Sequence, residues 1–338
     1  MTSGVYILGS LAKMVLSYLD KERIAAPKLR AELAKRGPFE LVPIEDWWRW
    51  HDRVQEESFQ PALGLHIGRC VQLHHLGLLG YLMGTCQTCG LALEAFQKFQ
   101  PLIHNLNPSL VNIRGNYICI TWDDRYGTST LISNEVLASS FLTNLRTLTG
   151  LPDINFHKLS FPGPPPKHYE IYRTLWGCAV DFDAPSMSFE LSVAYLLLPI
   201  PSYDENLKLI LEKQAESLIE QHPRPDPFIS ELHELIIPAI KRGEVSADRL
   251  AGEIGMSLRS FYRALDKRGI TFRDLLRTIR YQLAKQHLNN RRIELVDVAS
   301  LLGYSDQSAF TRAFKSWHGA TPRQYRLNSQ GVSEQANI

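Results

Sequence analysis

"LLGYSDQSAFTRAFKSWHGATPRQYR" occupies residues 301–326 of a 338-residue chain, and "LAGEIGMSLRSFYRALDKRG" occupies residues 250–269. The two share one rhythm. Leu250-Ala251 corresponds to Val298-Ala299. Ile254-Gly255-Met256-Ser257 corresponds to Leu302-Gly303-Tyr304-Ser305, and Arg263 to Arg312 after a slip of one residue. Each stretch reads as a short helix, a turn opened by glycine, and a second helix. Gly255 and Gly303 suit the left-handed backbone that ends a helix, and Ser257 and Ser305 are N-cap candidates for the helices that follow. Helix, short glycine turn, helix is the helix-turn-helix pattern, whose second helix enters the DNA major groove.

Helical geometry sorts the second helices into faces. With 3.6 residues per turn, Phe310 and Phe314 share one face, and Ser308, Thr311, Arg312 and Lys315 lie opposite. In the first unit Phe261 and Leu265 point inward, and Arg259, Tyr262 and Arg263 point out. Reading base edges needs such groups: Arg bidentate to guanine, Gln to adenine, a Thr methyl against thymine. One basic amphipathic helix is more often a solvated face; two in series with matched turns favour DNA. Between them, "TFRDLLRTIRYQLAKQHL" keeps Phe272, Leu275, Leu276, Ile279 and Leu283 on one stripe. Eighteen helical residues span ~27 Å, enough to hold two reading helices about one DNA turn (~34 Å) apart.

Charge follows the same division. Residues 226–327 hold 17 Lys+Arg and 11 Asp+Glu, a formal +6, while the remainder holds 20 and 24, a formal −4. A basic segment on an acidic body fits one part that meets a polyanion and another that does not. Lys13 interrupts the apolar N-terminus and no A-x-A site follows, so no secretory leader is expected. No apolar run approaches the ~20 residues of a membrane span, and five scattered cysteines suit a reducing cytoplasm better than a disulfide framework.

The N-terminal two-thirds alternates textures. Residues 6–35, 43–58 and 61–104 read as helical. "SLVNIRGNYICITWDD" (109–124) is a hairpin signal around Arg114-Gly115-Asn116. Residues 135–148 and 168–176 read as helices, with strands expected in 153–162 and 186–199. Pro-rich residues 161–166 form a loop. A helix over 204–221 shares a face of Leu207, Ile210, Leu211, Leu218 and Ile219. It serves either its own domain or a dimer seam, before "HPRPDP" (222–227) breaks the chain. The expected fold is an α+β N-terminal domain with a mostly antiparallel sheet, followed by an all-α domain with two helix-turn-helix units joined by a long helix. The expected organisation is a regulatory domain (1–205), a linker helix (206–225), a DNA-binding domain (226–327) and a flexible tail (328–338).

The motif "VASLLGYSDQSAFTRAFKSWHGATPRQYR" resembles that of AraC-type transcription regulators: A-x-x-x-G-[FY]-S-x-x-S-x-F-x-R-x-F-K, then G-x-[ST]-P-x-x-[YF]-R. Ala299, Gly303, Tyr304, Ser305, Ser308, Phe310, Arg312, Phe314, Lys315, Gly319, Thr321, Pro322, Tyr325 and Arg326 fill it. "LGLLGYLMGTCQTCGLALEAF", "YRTLWGCAVDFDAPSMSFEL" and "ILEKQAESLIEQ" are similar, less sharply, to the ornithine-utilisation-regulator-like subgroup. The resemblance implies a cytoplasmic bacterial regulator of promoter DNA, often a homodimeric activator, with a small-molecule effector and RNA polymerase as further partners. It assigns base reading to Arg259, Tyr262 and Arg263, and to Gln307, Ser308, Thr311 and Arg312. Asp266 departs from the pattern, standing where the second unit has Lys315. Phosphate would repel it unless it pairs with Arg263 or accepts from a cytosine amine.

Other chemistry is sparse. Cys86-Gln-Thr-Cys89 is a lone CxxC, read as structural rather than as a metal or redox site. The rival reading is an AraC-type module fused to a DNA-repair alkyltransferase, which would need a Pro-Cys-His-Arg nucleophile that the chain lacks. No GxGxxG, P-loop, G-x-S-x-G or zincin motif occurs, so no catalytic residue, metal or cofactor is expected. "EDWWRW" could line an apolar pocket through Trp47, Trp48 and Trp50, and Arg114 or Arg173 could hold a ligand carboxylate. The N-terminal domain is then a sensor, or a module that only dimerises.

Overall fold

The computed structural model describes residues 5–122, 129–221, 226–289 and 293–328. Residues 222–225 of the expected break and 329–338 of the expected tail lie outside the described residues. Buried apolar side chains fall into two separate clusters, one running from Val5 to Ala215 and the other from Ile229 to Phe314.

Around the first cluster the architecture is α+β. A small ribbon pairs β1 (Tyr6–Leu8) with β2 (Leu41–Pro43). Among the described residues the main sheet has five strands: β3 (Ser109–Arg114), β4 (Tyr117–Trp122), β5 (Lys158–Pro162), β6 (Ala179–Ala184) and β7 (Met187–Ser192), ordered β3-β4-β7-β5-β6. The sheet is mixed, because β5 and β6 run parallel while β3–β4, β4–β7 and β5–β7 are antiparallel. Alternating apolar positions pair Ile118 with Leu191, Ile120 with Phe189 and Trp122 with Met187 on its buried face. Residues 6–35 are not wholly helical. Tyr6–Leu8 is a strand, and Leu8 N–H donates to the Ile103 carbonyl at 2.6 Å. The sequence reading also misses β6, whose Asp181 and Asp183 dilute the strand pattern of an edge.

Helix Leu131–Thr149 runs through the middle of this part. Helix Leu63–Gly68 lies against it so closely that a Cβ on Gly64 would collide with the Ile132 carbonyl, and one on Gly68 with Ser139. At this contact Glu135 is fully buried, accepting from Gly64 N–H at 2.9 Å and from the Tyr172 hydroxyl. Burial pushes its carboxyl up to about 7. Helix Glu205–Gln221 turns Leu211, Leu218 and Ile219 toward the core and leaves Leu207, Leu209 and Ile210 exposed, so the face expected from the sequence is split.

The second cluster is wholly helical. Helices Pro227–Arg242, Ala247–Glu253, Leu258–Asp266, Phe272–Asn289, Leu295–Leu301, Gln307–His318 and Pro322–Asn328 surround it. The 18-residue helix Phe272–Asn289 is the spine, burying Leu275, Ile279, Leu283 and Leu288. Arg326 closes the C-terminal end of this part, donating to the Leu288 carbonyl at 3.1 Å and the Ile293 carbonyl at 2.7 Å. Among the described residues an ion pair joins the two parts: Lys285 Nζ of the spine lies 2.8 Å from Asp52 Oδ2 on helix Ile44–Glu57. Beside it His51 is buried, neither ring nitrogen hydrogen-bonded among the described residues, its ring 4.2 Å from that of Trp47.

Burial, with the Lys285 ammonium nearby, pushes His51 down to about 3. A histidine kept neutral by the fold, but free to protonate when unfolded, contributes stability above pH ~6.5 that is lost as pH falls toward the folded value. His75, His104 and His233, each pushed down to about 4 by burial, act in the same direction. Glu135 acts oppositely, since its raised value makes stability fall as pH rises from 4.5 through about 7. We expect His51→Leu to flatten the loss of stability below pH ~6.5, measured by urea denaturation across a pH series. An unchanged acid limb would show that His51 is not kept neutral by the fold.

Candidate nucleic-acid interface

Both helix pairs turn at a glycine held in the left-handed region, Gly255 at φ 70° and Gly303 at φ 72°. The caps that follow differ. Ser257 accepts from Ser260 N–H at 3.2 Å, whereas Asp306, not the expected Ser305, caps the second helix by accepting from Ala309 N–H at 2.7 Å. Ser305 instead donates its hydroxyl to the Asp306 carboxylate at 3.1 Å. The Ala309 amide and the Ser305 hydroxyl hold that carboxyl below its usual range. The second turn is therefore one residue longer, which accounts for the slip between Arg263 and Arg312. Counted from the caps, the two helices are in register: Phe261 with Phe310, Tyr262 with Thr311, Arg263 with Arg312, Leu265 with Phe314, Asp266 with Lys315.

Burial follows that register. Phe261, Leu265, Phe310 and Phe314 are buried. Phe261 meets the rings of Phe228 and Phe272, and Phe314 meets those of Tyr281, Trp317 and Tyr325. Arg259, Tyr262, Arg263, Gln307, Ser308, Arg312 and Lys315 are exposed, and Thr311 is half-buried. Among the described residues Arg259, Arg263, Arg312 and Lys315 form no ion pair, whereas Arg249, Arg268, Arg277 and Lys285 do. Asp266 is exposed and, among the described residues, is not paired with Arg263 or any other cation. A further basic groove escaped the sequence reading. Arg273, Arg277 and Arg280 of the spine border it opposite Ser316 and Trp317, and the Arg280 guanidinium lies 4.9 Å over the Tyr304 ring. Their spacing along the helix was the available signal.

The residues proposed from sequence for a ligand do not converge. Trp47 lines a cavity in the N-terminal core. Trp48 is buried outside it, and the Trp50 indole donates to Glu32 at 2.8 Å under the Arg36 guanidinium. Arg114 ends an exposed strand, and Arg173 is exposed on helix Tyr172–Trp176. Cys86 and Cys89 are buried thiols, each pushed up to about 11 by burial. Among the described residues no helix is long and apolar enough to cross a membrane.

Two family descriptions match the chain: "Arabinose-binding domain of AraC transcription regulator, N-term" over residues 28–200, and "Helix-turn-helix domain" over residues 250–328. The ornithine utilization regulator of Pseudomonas aeruginosa is 27% identical over 271 residues, 79% of either chain. The regulator VirS of Mycobacterium tuberculosis is 29% identical over 286 residues, 81% of this chain and 80% of its own. The crystal structure of the transcriptional regulator CdpR from Pseudomonas aeruginosa aligns over 93% of this chain and 97% of its own, at 19% identity and a TM-score of 0.44.

The division between buried and exposed faces has a measurable form. Phe314→Ala should cost about 3–5 kcal/mol of stability, as large-to-small core changes do. Arg312→Ala should stay within about 0.5 kcal/mol, as for an exposed side chain without partners. Comparable losses in urea denaturation would contradict the assignment of faces.

Proposed function

The chain belongs to the AraC family of transcription regulators, and from that premise we propose that it is a ligand-responsive activator that reads two successive major-groove segments of promoter DNA. The observation that carries this reading is the cap-to-cap register of the two second helices, which gives both the same buried anchors and the same outward positions. Arg259, Tyr262 and Arg263 would address one segment, and Gln307, Ser308, Thr311 and Arg312 the other, with Lys315 on phosphate. Unpaired Asp266 would accept from a cytosine amine rather than approach phosphate. The 18-residue spine is ~27 Å long, which suits grooves one turn apart.

On this reading residues 1–205 are the effector-sensing part, 226–327 the DNA-binding part, and 206–225 the link. The helix Glu205–Gln221 exposes Leu207, Leu209 and Ile210. Such a patch suits an isologous dimer contact. Promoter binding places the protein in a bacterial cytoplasm, and activation adds RNA polymerase as a partner.

Genome-wide footprinting should find protected sites upstream of regulated genes. Affinity for such a site should fall about a hundred-fold between 50 and 200 mM salt if roughly four phosphates are neutralised. Arg312→Ala should cost ~1–3 kcal/mol on the cognate site and relax one base position, and Lys315→Ala should weaken all sequences alike. Equal losses on cognate and scrambled DNA for both variants would refute the division of roles. Leu209→Asp with Ile210→Asp in the full chain should yield a monomer by light scattering. A mass identical to that of the parent would remove this helix from the dimer contact.

A further inference from the structure

The N-terminal core holds a partly open cavity of about 160 Å³ bordered by helices Leu11–Lys21, Ile44–Glu57, Cys89–Phe99 and Leu131–Thr149. Protein interiors are close-packed, with few voids larger than a water molecule, so a space of this size amid large side chains calls for an occupant. Its wall is mostly apolar, with Trp47, Phe96, Trp122 and Phe141 the largest contributors.

Its polar lining side chains are His104, Asn107 and Ser129, with Ser133, Asn134, Ser140 and Asn144 of helix Leu131–Thr149. Ser133 accepts the Trp47 indole N–H at 2.9 Å. Asn144 lines the space and donates from its amide nitrogen to the Ser140 carbonyl at 2.9 Å. Asn134 is 5% exposed and lines the cavity, and its side-chain amide has no hydrogen-bond partner among the described residues. A ligand hydroxyl, carbonyl or ring N–H would pair with it. No Lys, Arg, Asp or Glu is among the described lining residues. The one titratable group with a ring at the wall, His104, is pushed down to about 4 by burial and stays neutral near pH 7.

We propose that this cavity is the effector site and that it takes an uncharged, ring-sized, largely apolar molecule with one hydrogen-bonding group, such as a phenol- or indole-like compound. A ring fits the volume, since an apolar cavity of ~150 Å³ binds benzene in another protein. An ion placed here would lose its hydration with no counter-charge among the described lining residues to replace it. An amphipathic acid, the ligand suggested by Arg114 and Arg173, has neither arginine at this wall. The route outward is short. Trp47 touches both the cavity and His51, and Asp52 of the same helix holds Lys285 of the DNA-binding part. Occupancy therefore acts on the helix that joins the two parts.

This inference rests on the reading of residues 1–205 as a sensor, and the test separates the two. Benzyl alcohol, benzoate and benzylammonium share one ring and differ in charge. On the full chain we expect benzyl alcohol and indole to bind saturably by tryptophan fluorescence and thermal shift, with both ions at least about tenfold weaker. Asn134→Ala should weaken benzyl alcohol several-fold without moving the DNA affinity of the unliganded protein, and Ala92→Phe should abolish binding by filling the space. Failure of both neutral probes to bind would overturn the proposal. So would ions binding as well as the alcohol, or neutral binding that survives in both folded variants. If neutral probes bind as expected but leave DNA affinity and transcription unchanged, the cavity assignment stands and the sensor reading falls. If instead the ions alter DNA affinity in the Ala92→Phe variant, the sensor reading stands and this site is not the one.

Discussion

The helical half of the molecule depends on where four side chains go. Phe261, Leu265, Phe310 and Phe314 are drawn from water into a shared core, and each full burial of this kind is worth ~1.5–3 kcal/mol. On a helix of 3.6 residues per turn, fixing two inward positions one turn apart leaves no freedom in the others. The outward sets are therefore a consequence of core packing. That is why a surface can be specified in a protein whose exposed residues contribute little to its stability.

The N-terminal half uses a different constraint, the close approach permitted by glycine. Gly64 and Gly68 bring helix Leu63–Gly68 onto helix Leu131–Thr149, and Glu135 is sealed at the contact with Gly64 and Tyr172 as partners. The same helix Leu131–Thr149 turns Ser133, Asn134 and Asn144 toward the cavity. A rigid contact on one face and an unfilled space on another place the soft part of the domain where a small molecule could act. The Asp52–Lys285 pair is made by the same helix, Ile44–Glu57, that borders this space.

Much of this was legible in the sequence for a physical reason. Helical periodicity, glycine turns and inward aromatics are local, so the second helices and their faces could be read from residues 257–266 and 305–318 alone. The cap at Asp306 could not, because Ser305 and Asp306 are adjacent acceptors and only backbone geometry chooses between them. Tyr6–Leu8 was read as helix because its partner Leu41–Pro43 is distant in sequence, and β6 was missed because its acidic residues hide an edge strand. Trp47 could be named as a pocket residue, but not separated from Trp48 and Trp50. Which of three neighbouring indoles meets a void is decided by the helix Leu131–Thr149, more than 80 residues away.

The second helices of the two units share a scaffold but not a surface. From equivalent positions one presents Arg259, Tyr262, Arg263 and Asp266, and the other Ser308, Thr311, Arg312 and Lys315. A duplex gripped by both would meet two unlike halves in fixed order, so the preferred site would have a head and a tail. A palindrome bound by a symmetric pair of single readers carries no such arrow. A single copy of this chain would carry one, and reversing the site would turn the N-terminal half toward the opposite side of the gene.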